Sequence, residues 1–516
     1  MIIQNNILGG VKMKKILIIL FVCLLLVGTV SAANYYISTS ASGTGSGDSW
    51  ANKKDFKTLN TASLLPGDIV YIDGGTNGLI YERSPFTIYS RGTSDKYIKF
   101  TRGLEVGHNG MPVFKTDNVY VGASILLEGA QYVEISHVKI MSIGKAARAI
   151  DLTKRSNTDI WSHHVDILYN EIEHINGTGI QLNGADDIRI MYNRIYTGVI
   201  DTTRVSDAIW SGTTTKNLEV AYNYFLLQNR ATGSTAHKDF MQLNGLTGTT
   251  KIHDNFFRAT TSDYQAIYGP TSSGNILIYN NIIDFTGTDM LRGVGGSMIN
   301  LKNGSTAYLS VEVYNNVFIG TGYNNIGFYN VDNLVFKNNL VKLGLDTDYH
   351  IEVNMRNNNY NNAHFDYNQY DVPSLNSMIR GGWTGWRSST YGSQDAHSKV
   401  LQNPTNEIKL FSFVNAPSLD PEGYRLASGS SGIDEGTSVS GVVVDFVATS
   451  RPQGSAWDVG AYEFVSSTAP SYHPADLNTD GCVSLGEIST YVGRWLNGSV
   501  TLSQASSAVS EWMGGC

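Results

Sequence analysis

The stretch VDILYNEI at residues 165–172 decides the fold, because the chain repeats its pattern. The phrase returns as IRIMYNRI (188–195), LEVAYNYF (218–225), TKIHDNFF (250–257), ILIYNNII (276–283), VEVYNNVF (311–318) and LVFKNNLV (334–341). In each phrase apolar residues alternate with others, which is the period of a β-strand, and an asparagine then interrupts the alternation. These asparagines are Asn170, Asn193, Asn223, Asn255, Asn281, Asn316 and Asn339, spaced 23 to 35 residues apart.

The recurrent asparagine predicts a stacked corner. Asparagine tolerates left-handed backbone, and its amide bonds to neighbouring backbone groups, so we expect it to form a tight turn at the end of each strand. Asparagines in successive repeats would also bond to one another at the ~4.8 Å spacing of paired strands. Repeats of this length cannot bury an apolar face alone, which indicates a solenoid.

A second strand-like phrase precedes each asparagine phrase. It reads AIDL (149–152), GIQL (179–182), AIWS (208–211), FMQL (240–243), AIYG (266–269), MINL (298–301) and GFYN (327–330). Two or more strands per repeat describe an all-β, right-handed parallel β-helix. In this pattern residues 34–465 resemble the pectate-lyase-like superfamily, and we assign residues 33–465 to the β-helix.

Both ends of this region resemble segments of secreted β-helix proteins. NYYISTSASGTGSGDSW (34–50) and PGDIVYIDGG (66–75) are similar to their usual start, which implies a short helix around residues 56–65 covering the first coil. The closing stretch, GIDEG (432–436) with VVVDFVATSRPQGSAWDVGAYEF (442–464), resembles the segment called choice-of-anchor Q. Its matching residues are Asp434, Gly436, Asp445, Arg451, Pro452, Asp458, Gly460, Ala461, Tyr462 and Glu463.

The N-terminus predicts export. Lys14 and Lys15 precede the apolar run 16–27, and residues 30–32 fit a small-residue cleavage site, so we expect a signal peptide over residues 1–32 with Met13 as the start. The run is too short for a comfortable membrane span, and no second long apolar segment follows. We therefore expect a secreted or extracellular protein, associated with the cell surface or free, that is not held in a membrane after cleavage.

Charge and cysteine use support this location. Cleavage would remove 3 lysines and no acid, changing the formal net charge from −8 to −11, which argues against nucleic acid as the partner. Only Cys482 and Cys516 would remain, and we expect them to form a disulfide in an oxidising compartment.

A calcium loop is predicted after a linker at residues 466–474. DLNTDGCVSLGE (476–487) fits D-x-[DN]-x-[DN]-G-x5-E without a mismatch. In this pattern Asp476, Asn478, Asp480 and Glu487 supply side-chain oxygens and Cys482 its carbonyl oxygen, while glycine at the sixth position makes the turn. The alternative is an acidic turn that binds no metal.

Residues 475–516 contain a partial duplication. The apolar positions of 483–495 recur 17 residues later at 500–512, but Gln504 replaces Glu487 and the acidic loop is lost, so we expect one Ca²⁺ and not two. The module resembles dockerins, which carry paired EF-hand-like loops and attach secreted enzymes to cohesin partners. The resemblance implies a small α-helical module with a cohesin-like or cell-surface protein partner, although the degenerate second loop departs from the family pattern.

The second phrase also predicts a row of outward side chains. Residues that follow the buried position in each coil are amides, aromatics and an acid: Asp151, Gln181, Trp210, Gln242, Tyr268, Asn300 and Tyr329. Such a row at ~4.8 Å steps matches the hydroxyl groups and flat apolar faces of an extended sugar chain. Ordinary stacking on an exposed sheet remains the alternative.

A polar cluster precedes this row. Asp207 and Asp239 occupy the same column on successive coils, His237 and Lys238 come directly before Asp239, and Arg148 occupies that column two coils earlier than Asp207. Arg204 also lies near Asp207 in the sequence. Two neighbouring carboxylates either share a cation or titrate at different pH values.

The superfamily resemblance implies a lyase that cleaves uronate-containing polysaccharide by β-elimination. Asp207 and Asp239 would bind a cation or the substrate, Lys238 or His237 would be the base, and Arg148 or Arg204 would hold the substrate carboxylate. No signature of one lyase family surrounds these residues. The rival hypotheses are polar turns without catalytic role, and a non-catalytic surface or matrix protein that binds glycan or mediates adhesion.

Overall fold

The computed structural model shows a parallel β-helix in which strands from every coil stack along one axis. The structure describes residues 32–82, 85–116, 122–142, 148–175, 177–199, 207–212, 214–230, 238–259, 264–271, 273–286, 297–302, 308–320, 325–344, 351–372, 379, 382–388, 391–402, 410–465, 473–477, 483–496, 500, 504–505 and 507–509. In this part of the chain, 35 strands form hydrogen-bonded sheets of 23 and 12 members. Residues 1–31 of the predicted signal peptide and most of the 466–474 linker lie outside it.

Each coil contributes a strand to three faces, here called sheets 1, 2 and 3. Sheet 1 contains Phe86–Ile88, Ala123–Glu128, Arg148–Thr153, Thr178–Leu182, Ile209–Ser211, Lys238–Asn244, Tyr264–Thr271, Ser297–Lys302, the first part of Asn325–Lys337, and Ile351–Met355. Asn325–Lys337 continues into sheet 2, which is why sheets 1 and 2 join into the 23-stranded sheet.

The other two faces complete the coil. Sheet 2 contains Asn34–Ser38, Lys54–Asp55, Ile69–Ile72, Ile98–Arg102, Gln131–Ser136, His163–Leu168, Asp186–Met191, Thr215–Ala221, Leu246–Thr247, Thr249–His253, Asn275–Tyr279, Tyr308–Tyr314, the second part of Asn325–Lys337, and Ala363–Asp366. Sheet 3 contains Ile80–Glu82, Val113–Thr116, Lys139–Ser142, Glu171–Ile175, Arg194–Val199, Tyr224–Arg230, Phe256–Arg258, Ile282–Phe285, Val317–Gly320, Leu340–Leu343, Gln369–Val372 and Lys399–Gln402. The parallel pairing of all these ladders is consistent with the right-handed parallel β-helix predicted from the repeats.

The predicted asparagine stack is present at the corner between sheets 2 and 3. Each buried asparagine from Asn193 to Asn339 accepts a bond from the backbone N–H of the asparagine one coil earlier at 2.9–3.0 Å, and Asn368 extends the stack in the same way. At its start, Asn170 accepts from the backbone N–H of Val138 at 3.1 Å. The amide nitrogens donate to backbone carbonyls, as Asn193 does to those of Ile167 and Met191. The stack therefore satisfies polar backbone groups that the corner buries.

One detail of the corner differs from expectation. The left-handed backbone lies at the residue before each stacked asparagine, with φ of 53–60°. In the early coils this residue is Tyr169, Tyr192 or Tyr222, whose rings stack at 4.7 and 4.8 Å. The asparagine itself is not left-handed, because its amide must turn inward to reach the neighbouring coils.

The first coil is covered by two short 3-10 helices, Phe56–Thr58 and Thr61–Ser63, where the sequence had predicted one helix. Each is capped by an Asp or Asn side chain that precedes it. The ring of Phe56 packs on Tyr81 and Phe86, so the turns close the end of the core. Elsewhere among the described residues, before the C-terminal region, short helices lie at Arg356–Asn358, Tyr360–Asn362, Gly382–Trp386 and Pro421–Tyr424.

The choice-of-anchor-Q-like segment packs along the corner between sheets 2 and 3. Thr437 exchanges two hydrogen bonds with the left-handed Asn338 of that corner. Arg451 and Glu463 form an ion pair at 2.6 Å with both side chains fully buried, and Arg451 also donates to the carbonyl of Gly460 at 3.0 Å. The residues that carry the resemblance therefore form the internal bonds of a segment that lies against the side of the later coils.

The C-terminal residues form a small separate core. The helix Leu485–Leu496 contributes Ile488 and Tyr491, which cluster with Ala475, Val483 and Ala508, and Val492, Val500 and Val509 pack against this cluster. The cluster therefore joins positions from both halves of the duplication. Within the described residues, no helix combines the length and apolar character that crossing a bilayer needs.

Candidate functional site

Sheet 1 brings the predicted outward row into register. Paired strands place Asp151 opposite Gln181, and then Trp210, Gln242, Tyr268 and Asn300 on successive coils. The row ends there, which corrects the expectation for Tyr329. A register shift between Ser297 and Ile299 puts Gly327 opposite Asn300 and Tyr329 opposite Lys302.

The first two side chains of this row, Asp151 and Gln181, are buried. Asp151 is 6% exposed and Gln181 is 7% exposed. The Asp151 carboxylate accepts from Arg148 Nη1 at 3.1 Å and from Asn183 Nδ2 at 3.0 Å, while burial raises its pKa. Arg148, predicted to hold a substrate carboxylate, is therefore already paired with an acid of the protein.

The alternation of sheet 1 breaks before the row. Ala149 and Ile150 are both fully buried, as are Phe240 and Met241, so two successive side chains face the core. The residue before each such pair consequently returns to the outer face. The Arg148–Asp151 bond shows this within one strand, and Asn300 Nδ2 bonds to Gln265 Oε1 at 2.8 Å across neighbouring coils.

Asp207, Asp239 and Gln265 occupy this outer column on successive coils. The carbonyls of Asp207 and Asp239 accept from Gly179 and Ala208, and Asp239 pairs with Gln265. The column therefore shares a face with the row that contains Trp210 and Tyr268. Gln265 is a member that the sequence argument missed, although its position two residues before Ile267 is the same signal that identified Asp239.

The two aspartates form a buried acid pair. Asp207 is 1% exposed and Asp239 is 0% exposed, and the backbone N–H of Asp239 donates to Asp207 Oδ1 at 3.1 Å. Burial raises the pKa of Asp207 well above its ordinary value, and repulsion from the Asp239 carboxylate raises it further. A carboxyl group in this environment holds a proton to higher pH than an exposed aspartate, so it can donate a hydrogen bond where a free acid would not.

The acid pair interacts electrostatically with the outward row at Tyr268. Burial, and then the charge of Asp239, raise the pKa of the Tyr268 phenol. The basic candidates cannot be placed in the same way. His237 and Arg204 lie outside the described residues, and for Lys238 only the backbone is described, where it pairs with Tyr264. Their catalytic roles stay predictions.

A cleft of about 670 Å³ opens beside Tyr268 on the same face. Its lining residues are Tyr268, Pro270, Lys302, Tyr329, Asn330, Asn354, Met355, Arg356, Asn357 and Asn358. Lys302, Tyr329 and Asn354 pair in register and form a second row, two residues further along the strands than the first. Sequence reasoning missed Lys302, Asn354 and Arg356, because the register shift at Ser297 hides their alignment.

The predicted calcium loop is described at its two ends. Asp476 and Glu487 are 5% and 8% exposed. The Glu487 carboxylate accepts from the backbone N–H groups of Leu477 and Ser484, both at 2.9 Å, so it ties the start of the loop to its end. Asn478, Asp480 and Cys482 lie outside the described residues, as does Cys516, so the ligand set and the disulfide stay predictions.

Among the described residues, no group of three or more His, Cys, Asp and Glu side chains is placed to hold a metal ion. Ca²⁺ takes six to eight oxygen ligands, of which Asp207 and Asp239 could supply only part.

No family model matches the chain, and no curated protein sequence matches it. Among solved structures, pectate lyase Pel9A is similar with a TM-score of 0.52 at 14% identity, covering 85% of this chain and 98% of Pel9A. A complex of XylC with xylose gives a TM-score of 0.46 at 10% identity, covering 84% and 98% of the two chains. Lacto-N-biosidase from Eubacterium ramulus gives 0.42 at 10% identity, covering 71% and 68%.

At these identities the comparisons show the fold and not the chemistry. The match to Pel9A extends over most of this chain, so the protein has the parallel β-helix fold of that pectate lyase. Function must be argued from the site.

Proposed function

We propose that the protein is a secreted enzyme that cleaves a uronate-containing polysaccharide by β-elimination. The observation that carries this proposal is the buried pair of Asp207 and Asp239 on the same face as the Trp210–Tyr268 row and the cleft. A buried acid pair costs stability, because each charge loses its hydration and repels the other. Its position beside a groove of aromatics and amides gives that cost a functional explanation.

In the proposed reaction a base removes the proton at C5 of a uronate. The electron pair forms the C4–C5 double bond, and the glycosidic oxygen at C4 leaves with a proton from a general acid. The step is difficult because negative charge develops beside the substrate carboxylate, so that carboxylate must be neutralised. Protonated Asp207 can donate a hydrogen bond to it. Lys238 or His237, which precede Asp239 in the sequence, would be the base, and Arg204 would be the carboxylate partner.

A Ca²⁺ ion shared with substrate at the pair would supply the same neutralisation. Asp207 and Asp239 would be its protein ligands, with substrate oxygens completing the set. The fold supports the class of substrate only by analogy: the solved structure with the most similar fold reported above is a pectate lyase.

The competing function is glycan binding or adhesion without cleavage by a surface or matrix protein. The row and the cleft would serve this function equally, since neither requires the acid pair. The acid pair is what favours the enzyme, because a binding surface gains nothing from two carboxylates withdrawn from solvent.

Cleavage of a polysaccharide panel separates the two functions. The mature protein is incubated with polygalacturonate, alginate, glucuronan and neutral xylan, and absorbance from new unsaturated ends is followed with Ca²⁺ and with chelator. We expect ends to form on one uronate polymer and not on xylan. Binding to uronate without new ends on any polymer would favour the adhesin.

For the C-terminal residues 475–516 we propose a module that binds one Ca²⁺ and attaches the enzyme to a cohesin-like or cell-surface protein. Support comes from the complete loop pattern, from the burial of Asp476 and Glu487, and from the bonds that the Glu487 carboxylate makes to both ends of the loop. Calorimetry on the full chain should show one Ca²⁺ that is lost in Asp476→Ala. A second site, or none in the unmodified chain, would contradict the proposal.

A further inference from the structure

We infer that the cleft between Tyr268 and Arg356 binds an acidic sugar through Lys302, which makes Lys302 the residue that selects for a carboxylated chain. The inference deepens the proposed function, since it names a binding position on the same face as the acid pair. It concerns binding, however, and does not require that the protein cleaves its ligand.

The charge of the cleft differs from that of the chain. The protein carries a net charge of −8, yet the charged residues that line the cleft are Lys302 and Arg356, with no acid among them. Arg356 pairs with Asp332 at 3.3 Å, but its side chain is 51% exposed, so this bond is weak and exchangeable. Within the described residues Lys302 forms no ion pair, and it is exposed on its strand. A local positive potential in an acidic protein favours an anionic ligand.

The walls of the cleft suit a sugar better than a compact anion. Tyr329 lies against the backbone of Gly327, where an added Cβ would come within 2.7 Å of the ring. Because Gly327 has no side chain, the Tyr329 ring can pack directly on the strand backbone. Lys302 Nζ lies 5.8 Å from the centre of this ring. Flat apolar surface beside a cation matches a pyranose ring with a carboxylate at its edge.

Amides supply partners for hydroxyl groups. Asn354 lies on the strand beside Tyr329, and Asn357 and Asn358 are exposed in a turn where both have left-handed backbone, with φ of 55°. Such residues donate and accept in fixed directions. The cleft thus offers a cation, an aromatic face and amides in one volume of about 670 Å³.

The position along the axis links the cleft to the acid pair. Asp239 lies one coil from Tyr268 and two coils from Lys302, so the two sites are about 10 Å apart along the axis at ~4.8 Å per coil. A single extended chain can occupy both. Lys302 would then hold a carboxylate that is not at the reacting sugar.

The test measures binding to the full chain carrying Asp239→Asn, in which any cleavage is suppressed. The probes are an oligogalacturonate, its carboxyl-reduced neutral counterpart and a chondroitin sulfate oligosaccharide, followed by calorimetry. Lys302→Met should weaken oligogalacturonate binding at least tenfold, and the neutral oligosaccharide should bind weakly to both proteins. The matched control is Lys251→Met, at an exposed lysine on sheet 2, which should leave affinity unchanged.

The outcomes separate this inference from the proposed function. Unchanged affinity in Lys302→Met, or an equal loss in Lys251→Met, would overturn the inference. Equally tight binding of the sulfated oligosaccharide would overturn the choice of a carboxylate. If oligogalacturonate binds through Lys302 but the unmodified protein forms no unsaturated ends, the cleavage proposal fails and the inference stands.

Discussion

Replacing Asn255 by alanine should destabilise the middle of the β-helix. Asn255 Oδ1 accepts from the backbone N–H and side-chain amide of Asn223, both at 3.0 Å, and its own amide donates to Val220, His253 and Asn281. The site is 0% exposed, so water cannot replace these bonds.

The size of the stability loss depends on which buried polar groups lose all of their hydrogen-bond partners in Asn255→Ala. The backbone N–H of Asn223 would be left buried and unpaired, which costs about 1–3 kcal/mol. The bonds to Val220 and Asn281 add about 1 kcal/mol each. The carbonyl of His253 keeps its bond from the backbone of Tyr222 and adds little. Added together, these terms give about 3–5 kcal/mol. Because terms in one hydrogen-bond network are only partly additive, we expect a loss of about 2–4 kcal/mol in the free energy of unfolding.

Urea denaturation gives the total effect, and hydrogen exchange by mass spectrometry locates it. Coils interact with their nearest neighbours, so exchange should accelerate in peptides that contain Asn223 and Asn281 and less in distant coils. Asn333→Ala is the control, because Asn333 is exposed and makes one bond to Leu309; it should change stability by less than about 0.5 kcal/mol. Equal stability of Asn255→Ala and Asn333→Ala would refute the role assigned to the asparagine stack.

Two further substitutions test the acid pair and the packing of the choice-of-anchor-Q-like segment against the β-helix. Asp207→Asn should stabilise the protein at neutral pH but not near pH 4. The pKa of Asp207 is raised in the folded protein, so folded Asp207 keeps a proton that the unfolded chain releases above about pH 4. The contribution of Asp207 to the free energy of unfolding therefore falls as the pH rises from about 4 through the folded pKa. Urea melts at both pH values measure this, and an equal gain at each would contradict it. Gly460→Ala should loosen residues 436–463, because φ of Gly460 is +100° and the new Cβ would lie 2.7 Å from Leu340. Limited proteolysis should then cleave residues 436–463 faster than in the unmodified protein, and an unchanged cleavage rate would count against this packing.

The sequence predicts the β-helix well because its physics is local. Alternating apolar residues followed by asparagine fix both the strand and the corner, and the spacing of the asparagines gives the number of residues per coil. The same register placed Asp207 and Asp239 in one column, which the strand pairing confirms. The prediction that the asparagine itself is left-handed was wrong, because it depends on backbone detail. The left-handed residue is the one before the asparagine, where a turn can form without moving the amide from its hydrogen-bond partners.

The site is less predictable because it depends on burial and on register shifts. Asp151 looks like a ligand in the sequence, but Arg148 and Asn183 bond to it. Lys302 carries no repeat signal, because the shift at Ser297 moves its partner to Tyr329. A shift in strand register moves every later partner in that strand, and the periodicity of a single phrase does not encode it.

The most direct test of the account compares the unmodified protein with Asp239→Asn on the uronate polymer that it binds most tightly. Both proteins should bind that polymer, and absorbance from unsaturated ends should rise with the unmodified protein and fall at least a hundredfold in rate with Asp239→Asn. Circular dichroism and urea melts of the variant confirm that the fold is intact. Unsaturated ends forming at equal rates in both proteins, or in neither, would contradict a catalytic acid pair on sheet 1.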